Sequence, residues 1–210
     1  MAPSRTGTLA ATAAAVAIAA AVGYALHLNA KKRAEERALA TVLSETTAQL
    51  REVLTAPAPG AAEQIEGRLR LAEGWSNAEV ADATEHYLIG AREIFRKRAD
   101  SLRFEQKAAQ SRAALAAHMN RAGRRDTSWL KTAMELKREV ERDHYDLERS
   151  LKAVADLLDM LPDANKRLAP HVQASLLLDE SARRELRAAV DAEARHVAGE
   201  LEKVRRLDGR

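Results

Sequence analysis

The chain has 210 residues, enough for one ordinary domain plus a targeting segment. Aromatic residues make up only 3%, Cys is absent, and Ala, Leu, Glu and Arg dominate; this composition belongs to long helices and excludes disulfides, thiolate zinc sites and cysteine nucleophiles. The pI is 9.3, yet 34 basic residues face 31 acidic ones and the signs interleave, so a nucleic-acid backbone would meet solvated faces of mixed charge rather than a positive stripe.

Residues 1–7 read as a short tail whose one basic side chain is Arg5. Residues 8–28 contain no Asp, Glu, Lys or Arg. Wound as a helix they cover about 30 Å, the thickness of a bilayer's hydrocarbon core. Leu9, Val16, Ile18, Val22, Leu26 and Leu28 supply the stronger hydrophobicity in an Ala-rich stretch, and Tyr24 and His27 lie near one end, where amphipathic rings sit at headgroup level. The pattern predicts a transmembrane signal anchor, with membrane lipid as its partner. A cleaved secretory signal is the competing reading, with Arg5 as its basic start, Leu9 to Val22 as its apolar run and Ala25 or Ala30 before the cut. The single basic residue, the bulky Leu28 and the amphipathic helix that follows without a break favour the anchor.

Lys31, Lys32, Arg33 and Arg37 follow the span, while only Arg5 precedes it. This bias predicts a single-pass protein of the inner (cytoplasmic) membrane with its C-terminal body in the cytoplasm; export would place the body in the periplasm. Lys31, Lys32 and Arg33 are also positioned to meet anionic lipid headgroups.

Residues 29–55 form a juxtamembrane amphipathic helix, with Leu39, Leu43, Thr46, Leu50 and Val53 along one face. Its end is expected near Thr55, because residues 56–60 combine Pro57, Pro59 and Gly60 into a linker. Residues 61–210 are expected to form the helical domain. A short helix carrying Ala61, Ile65 and Leu69 stops around Gly74-Trp75, and Ser76 with Glu79 marks a capping box for the next one. That helix runs to Ala122, with Val80, Tyr87 and Ile94 flanking a row of Thr84, Leu88, Ala91, Phe95, Ala99 and Leu102, continued by Ala109, Ala113 and Ala116.

Gly123 to Asp126 make a turn, with Asp126 or Thr127 as the next cap. Val140, His144, Leu147, Leu151, Val154, Leu158 and Leu161 then alternate steps of four and three, the spacing of a helix-pairing seam. Pro162 is expected to end this helix, Asp163 and Pro170 to bound short pieces, and Val172 to Leu178 to give a compact apolar run. A last helix places Leu186, Val190, Val197, Leu201 and Val204 on one face. The fold class is all-α: an N-terminal transmembrane helix followed by an elongated antiparallel, coiled-coil-like bundle.

Glu141-x-x-His144 and Glu193-x-x-His196 each project two potential ligands to one side of a helix, as in carboxylate-bridged di-iron bundles, with Glu85 or Glu93 as a further carboxylate. In so Glu-rich a chain such pairs arise by chance, and His144 lies on the apolar seam, so packing is the preferred role. Glu85-His86 lacks the second His of a metalloprotease helix, and phosphate-cradling glycine loops and serine elbows are missing. Trp75 and Trp129 stand beside helix starts, where an indole packs onto the first turn. Arg96-Lys97-Arg98, Arg124-Arg125 and Arg183-Arg184 read as exposed charges.

The functional expectation is a membrane-anchored helical scaffold, needing no cofactor, that binds a protein partner or a second copy of itself through apolar seams. The alternatives are a metal-dependent bundle enzyme built on the two Glu/His pairs and a secreted periplasmic binding protein.

Overall fold

The computed structural model describes the backbone of residues 5–121 and 126–206 and the side chains from residue 21 onward. Among the described residues the chain is all helical, without strands. It comprises α1 (Arg5–Arg51), α2 (Ala61–Ala72), α3 (Ala78–Met119), α4 (Thr127–Leu168) and α5 (Glu180–Arg205), with a 3₁₀ turn at Ala174–Leu176. Two compact units divide it, residues 1–42 and residues 43–210, and the boundary falls inside α1.

The second unit begins with the last turns of α1. Leu43, Thr46, Leu50 and Val53 are buried, and Arg68 of α2 reaches across to Thr46, Gln49 and Glu45 at 2.8–3.0 Å. The helix ends at Arg51, earlier than the expected Thr55, and residues 52–55 continue as turns. Pro57 and Pro59 hold the residues before them out of the helical region. Gly60 then takes φ 70°, a left-handed conformation that suits glycine, and turns the chain into α2.

Helix α2 buries Ala61, Ile65, Leu69 and Ala72 and packs on α3. The cap of α3 lies one residue beyond the expected Ser76: the Asn77 side chain accepts from the backbone N–H groups of Glu79 and Val80 at 3.1 and 3.3 Å. Asn caps as well as Ser, and Asn77 has the extended backbone that the position needs.

Helices α3 and α4 pair as an antiparallel hairpin. Gly90 lies beside Leu161, with room of 3.4 Å between an added Cβ and the leucine methyl; Ser150 donates to the carbonyl of Lys97 at 3.0 Å; His118 donates to the carbonyl of Trp129 at 3.0 Å. Later residues of α4 thus meet earlier residues of α3. The Gly123-Arg124-Arg125 turn lies outside the described residues. Along α3 the buried row runs Ala91, Ile94, Arg98, Ser101, Ala108, Ser111, Leu115 and His118. This corrects the expected Ala109, Ala113 and Ala116, which are exposed. Alternating steps of three and four carry the row through Leu115, the large side chain, whereas following the alanines drifts off it.

Pro162 does not end α4. The helix continues to Leu168 with the proline inside it. A proline costs one backbone hydrogen bond and crowds the preceding turn, but Leu158 and Leu161 before it and Leu168 after it are all buried, and that packing keeps the helix whole. Asp163 therefore lies within α4 rather than starting a new piece. Asp179 caps α5 by accepting from the N–H of Ala182 at 2.8 Å, and α5 packs on α4.

Candidate functional site

The six apolar seam residues on α4 are spent inside the chain. Val140, Leu147, Leu151, Val154, Leu158 and Leu161 are buried, between the α3 and α5 neighbours of their own helix. In this chain the seam therefore packs against its own helices. A smaller cluster joins Val140 to Leu115 and Val204, with Met119 and Leu136 packed against it.

The two Glu/His pairs do not converge. His144 is buried, and its Nδ1 donates to the Val140 carbonyl one turn back at 2.8 Å. Glu141 faces Lys137 at 4.0 Å. Glu193 is held by Arg98 of α3, and His196 is exposed. Glu93 is engaged by Arg92 and Arg96. Among the described residues no group of three or more His, Asp or Glu side chains could hold a metal ion. The exposed His86 bonds the carbonyl of Asp82 in its own helix, and Arg167 lies 3.3 Å from its other nitrogen.

Two polar arrangements escaped the sequence reading. Arg98 is buried rather than exposed, and its guanidinium contacts Glu193, Ser101 and the carbonyl of Leu54. The signal was present, because Arg98 sits four residues after Ile94 on the buried row. Tyr87 is also fully buried. Its hydroxyl lies 2.7 Å from Thr47 Oγ1, which itself donates to the Leu176 carbonyl at 2.8 Å, so Tyr87 is the donor. Burial raises the Tyr87 pKa, and the Thr47 bond offsets part of the rise. Nothing in the spacing joins positions so far apart in sequence. Trp129 also differs from expectation: its ring stacks on His118 of the neighbouring helix, centroids 5.0 Å apart.

Clefts open on the surface of the helical unit. One of about 470 Å³ lies between the Pro57–Gly60 linker and α3, lined by Phe95, Arg96, Asp100 and Leu102 among others, with no Ser, Thr, His, Lys or Tyr. A groove of about 410 Å³ between α3 and α4 is largely apolar around Ile89, Gly90, Met160 and Leu161.

The remaining candidate is α1 itself. Its backbone is helical without interruption from Arg5 through the whole of the uncharged segment 8–28. Side chains of residues 8–20 lie outside the described residues, and residues 21–30 are exposed around the full circumference. Val22, Tyr24, Leu26 and Leu28 are thereby open, at 47–66% of their full area. Lys31 stands 3.7 Å from Glu35 one turn on. Among the described residues no helix is long and apolar enough to cross a membrane, and the side chains of residues 8–20 of the predicted span lie outside the described residues.

No protein-family model matches the chain, and no curated protein or solved structure matches it either.

Proposed function

We propose that the protein is a single-pass, membrane-tethered helical interaction module, in which residues 8–28 form the anchor and the helices from Leu43 onward form the body. One observation carries the reading: an uninterrupted helix presents Val22, Tyr24, Leu26 and Leu28 to its surroundings on all sides, within a segment free of charged side chains. Water does not favour such a helix, whereas a bilayer does, since the helical backbone satisfies its own hydrogen bonds and the apolar side chains meet lipid. The aromatic and charged residues fall in the order an interface requires: Tyr24 and His27, then Lys31, Lys32 and Arg33.

The cationic flank, Lys31, Lys32, Arg33 and Arg37 against Arg5 alone, supports a body on the cytoplasmic side of the inner membrane. The body's role is to bind protein rather than to catalyse, and its long charged helices serve as a scaffold. The α4 seam stabilises that scaffold instead of meeting the partner, so recognition falls to surfaces such as the groove holding Ile89 and Met160. Reporter domains fused after α5 test the placement: a fluorescent protein that matures only in the cytoplasm should be active and an alkaline phosphatase fusion inactive. The opposite pair of results assigns the body to the periplasm and overturns the topology.

A further inference from the structure

Lys31, Lys32, Arg33 and Arg37 are exposed on α1 immediately after the uncharged segment. Successive helical residues are rotated by about 100°. Lys31, Lys32 and Arg33 therefore spread over about 200° of the circumference within about 3 Å of axial rise, and Arg37 adds a fourth cation about 40° further round and one turn on. Of the four, only Lys31 has an acidic partner among the described residues, Glu35. Glu35 and Glu36 are the acidic residues of this stretch. Charges intended for a protein partner would line one face; Lys31, Lys32 and Arg33 form a girdle at one level, with Arg37 one turn beyond it.

We infer that this girdle is a binding site for anionic phospholipid headgroups, gathering several of them around α1 at one membrane surface. A collar of negatively charged phosphates is the counterpart that meets cations pointing in three directions at the same height. Lys32 and Arg33 approach it without an acidic neighbour in contact, and their long apolar stems let the charged heads reach outward to the phosphates. Arg33 and Arg37 bring planar forks suited to phosphate oxygens, and Lys31 and Lys32 bring point charges. The inference rests on the anchor reading, because the girdle reaches headgroups only when residues 8–28 lie in lipid.

The test uses the full chain reconstituted in vesicles of phosphatidylcholine alone and of a mixture with phosphatidylglycerol, each with a spin-labelled lipid. Electron paramagnetic resonance then gives the relative association of the two lipids with the protein. The wild type should prefer spin-labelled phosphatidylglycerol by at least about five-fold, the factor one cation near the surface supplies. Replacement by Lys31→Gln, Lys32→Gln, Arg33→Gln and Arg37→Gln together should bring the ratio close to one, as should molar salt. A chain that inserts but associates equally with both lipids, or a preference that survives the quadruple substitution, overturns the inference while leaving the anchor intact. Failure to insert into phosphatidylcholine vesicles overturns the anchor and the inference together.

Discussion

A single guanidinium nitrogen of Arg98 donates to both carboxylate oxygens of Glu193, at 2.9 and 3.0 Å, and so ties α3 to α5. The arginine side chain is only 7% exposed, while the carboxylate is 30% exposed. Removing one partner of a buried pair strands the other charge, at about 3–5 kcal/mol when both are buried. Because Glu193 is partly open to water, Glu193→Ala should cost about 2–3 kcal/mol. The paired change Arg98→Met with Glu193→Leu should cost less than the single one, and denaturant unfolding of the variants in detergent measures both.

The α4 seam gives a larger effect. Leu151 and Leu158 are fully buried, so Leu151→Ala and Leu158→Ala should each destabilise the protein by about 2–5 kcal/mol. Leu151→Asp together with Leu158→Asp should abolish the cooperative helical transition seen by circular dichroism. A variant that kept its fold and changed only its oligomeric state would move the seam to an interface between chains.

Pro162 supplies a test of opposite sign. It sits inside α4 without an N–H for the carbonyl of Leu158. Pro162→Ala restores that bond and removes the ring's crowding, and should raise stability by about 1–3 kcal/mol. A loss of stability would show that the ring is needed for packing.

Acid should weaken the fold through three carboxyls at helix starts. The hydrogen bond from Arg183 holds the Glu180 carboxyl down from 4.5 to about 2, with Arg184 assisting. The backbone N–H of Trp129 lowers Asp126, and that of Ala182 lowers Asp179. In each case the folded form binds a proton less readily than the unfolded one. Their stabilisation is therefore complete above the ordinary carboxylate range and is lost as pH falls from about 4.5 towards 2. Unfolding free energy followed against pH should show that decline, and Glu180→Gln should flatten part of it. An unchanged slope in the variant would remove Glu180 from the account.

The fold was legible where large apolar side chains recur. The α4 and α5 rows, Ile65 and Leu69 of α2, and the cap Asp126 all follow from spacing and local chemistry. Legibility failed where alanine was the marker, as at Ala109, Ala113 and Ala116, because a residue so common in helices labels no particular face. It failed at Pro162, where tertiary packing outweighed a local breaker, and at Ser76, where two good caps stand side by side. The burial of Arg98 could be read from its place four residues after Ile94, but its partner Glu193, like the Thr47 partner of Tyr87, comes from another helix, and helix spacing does not report contacts across the fold. For the proposed anchor, the lack of charge over residues 8–28 is written in the sequence, and the open side chains of Val22, Tyr24, Leu26 and Leu28 stand beside it.

Anchoring is tested most directly by alkaline carbonate extraction of membranes from cells making the full chain, with the mass of the recovered protein measured. The account predicts that the protein stays in the membrane pellet at the mass of the uncut sequence, and that Val16→Arg with Ile18→Arg releases it. Recovery of the unaltered, uncut protein in the soluble fraction would contradict the claim.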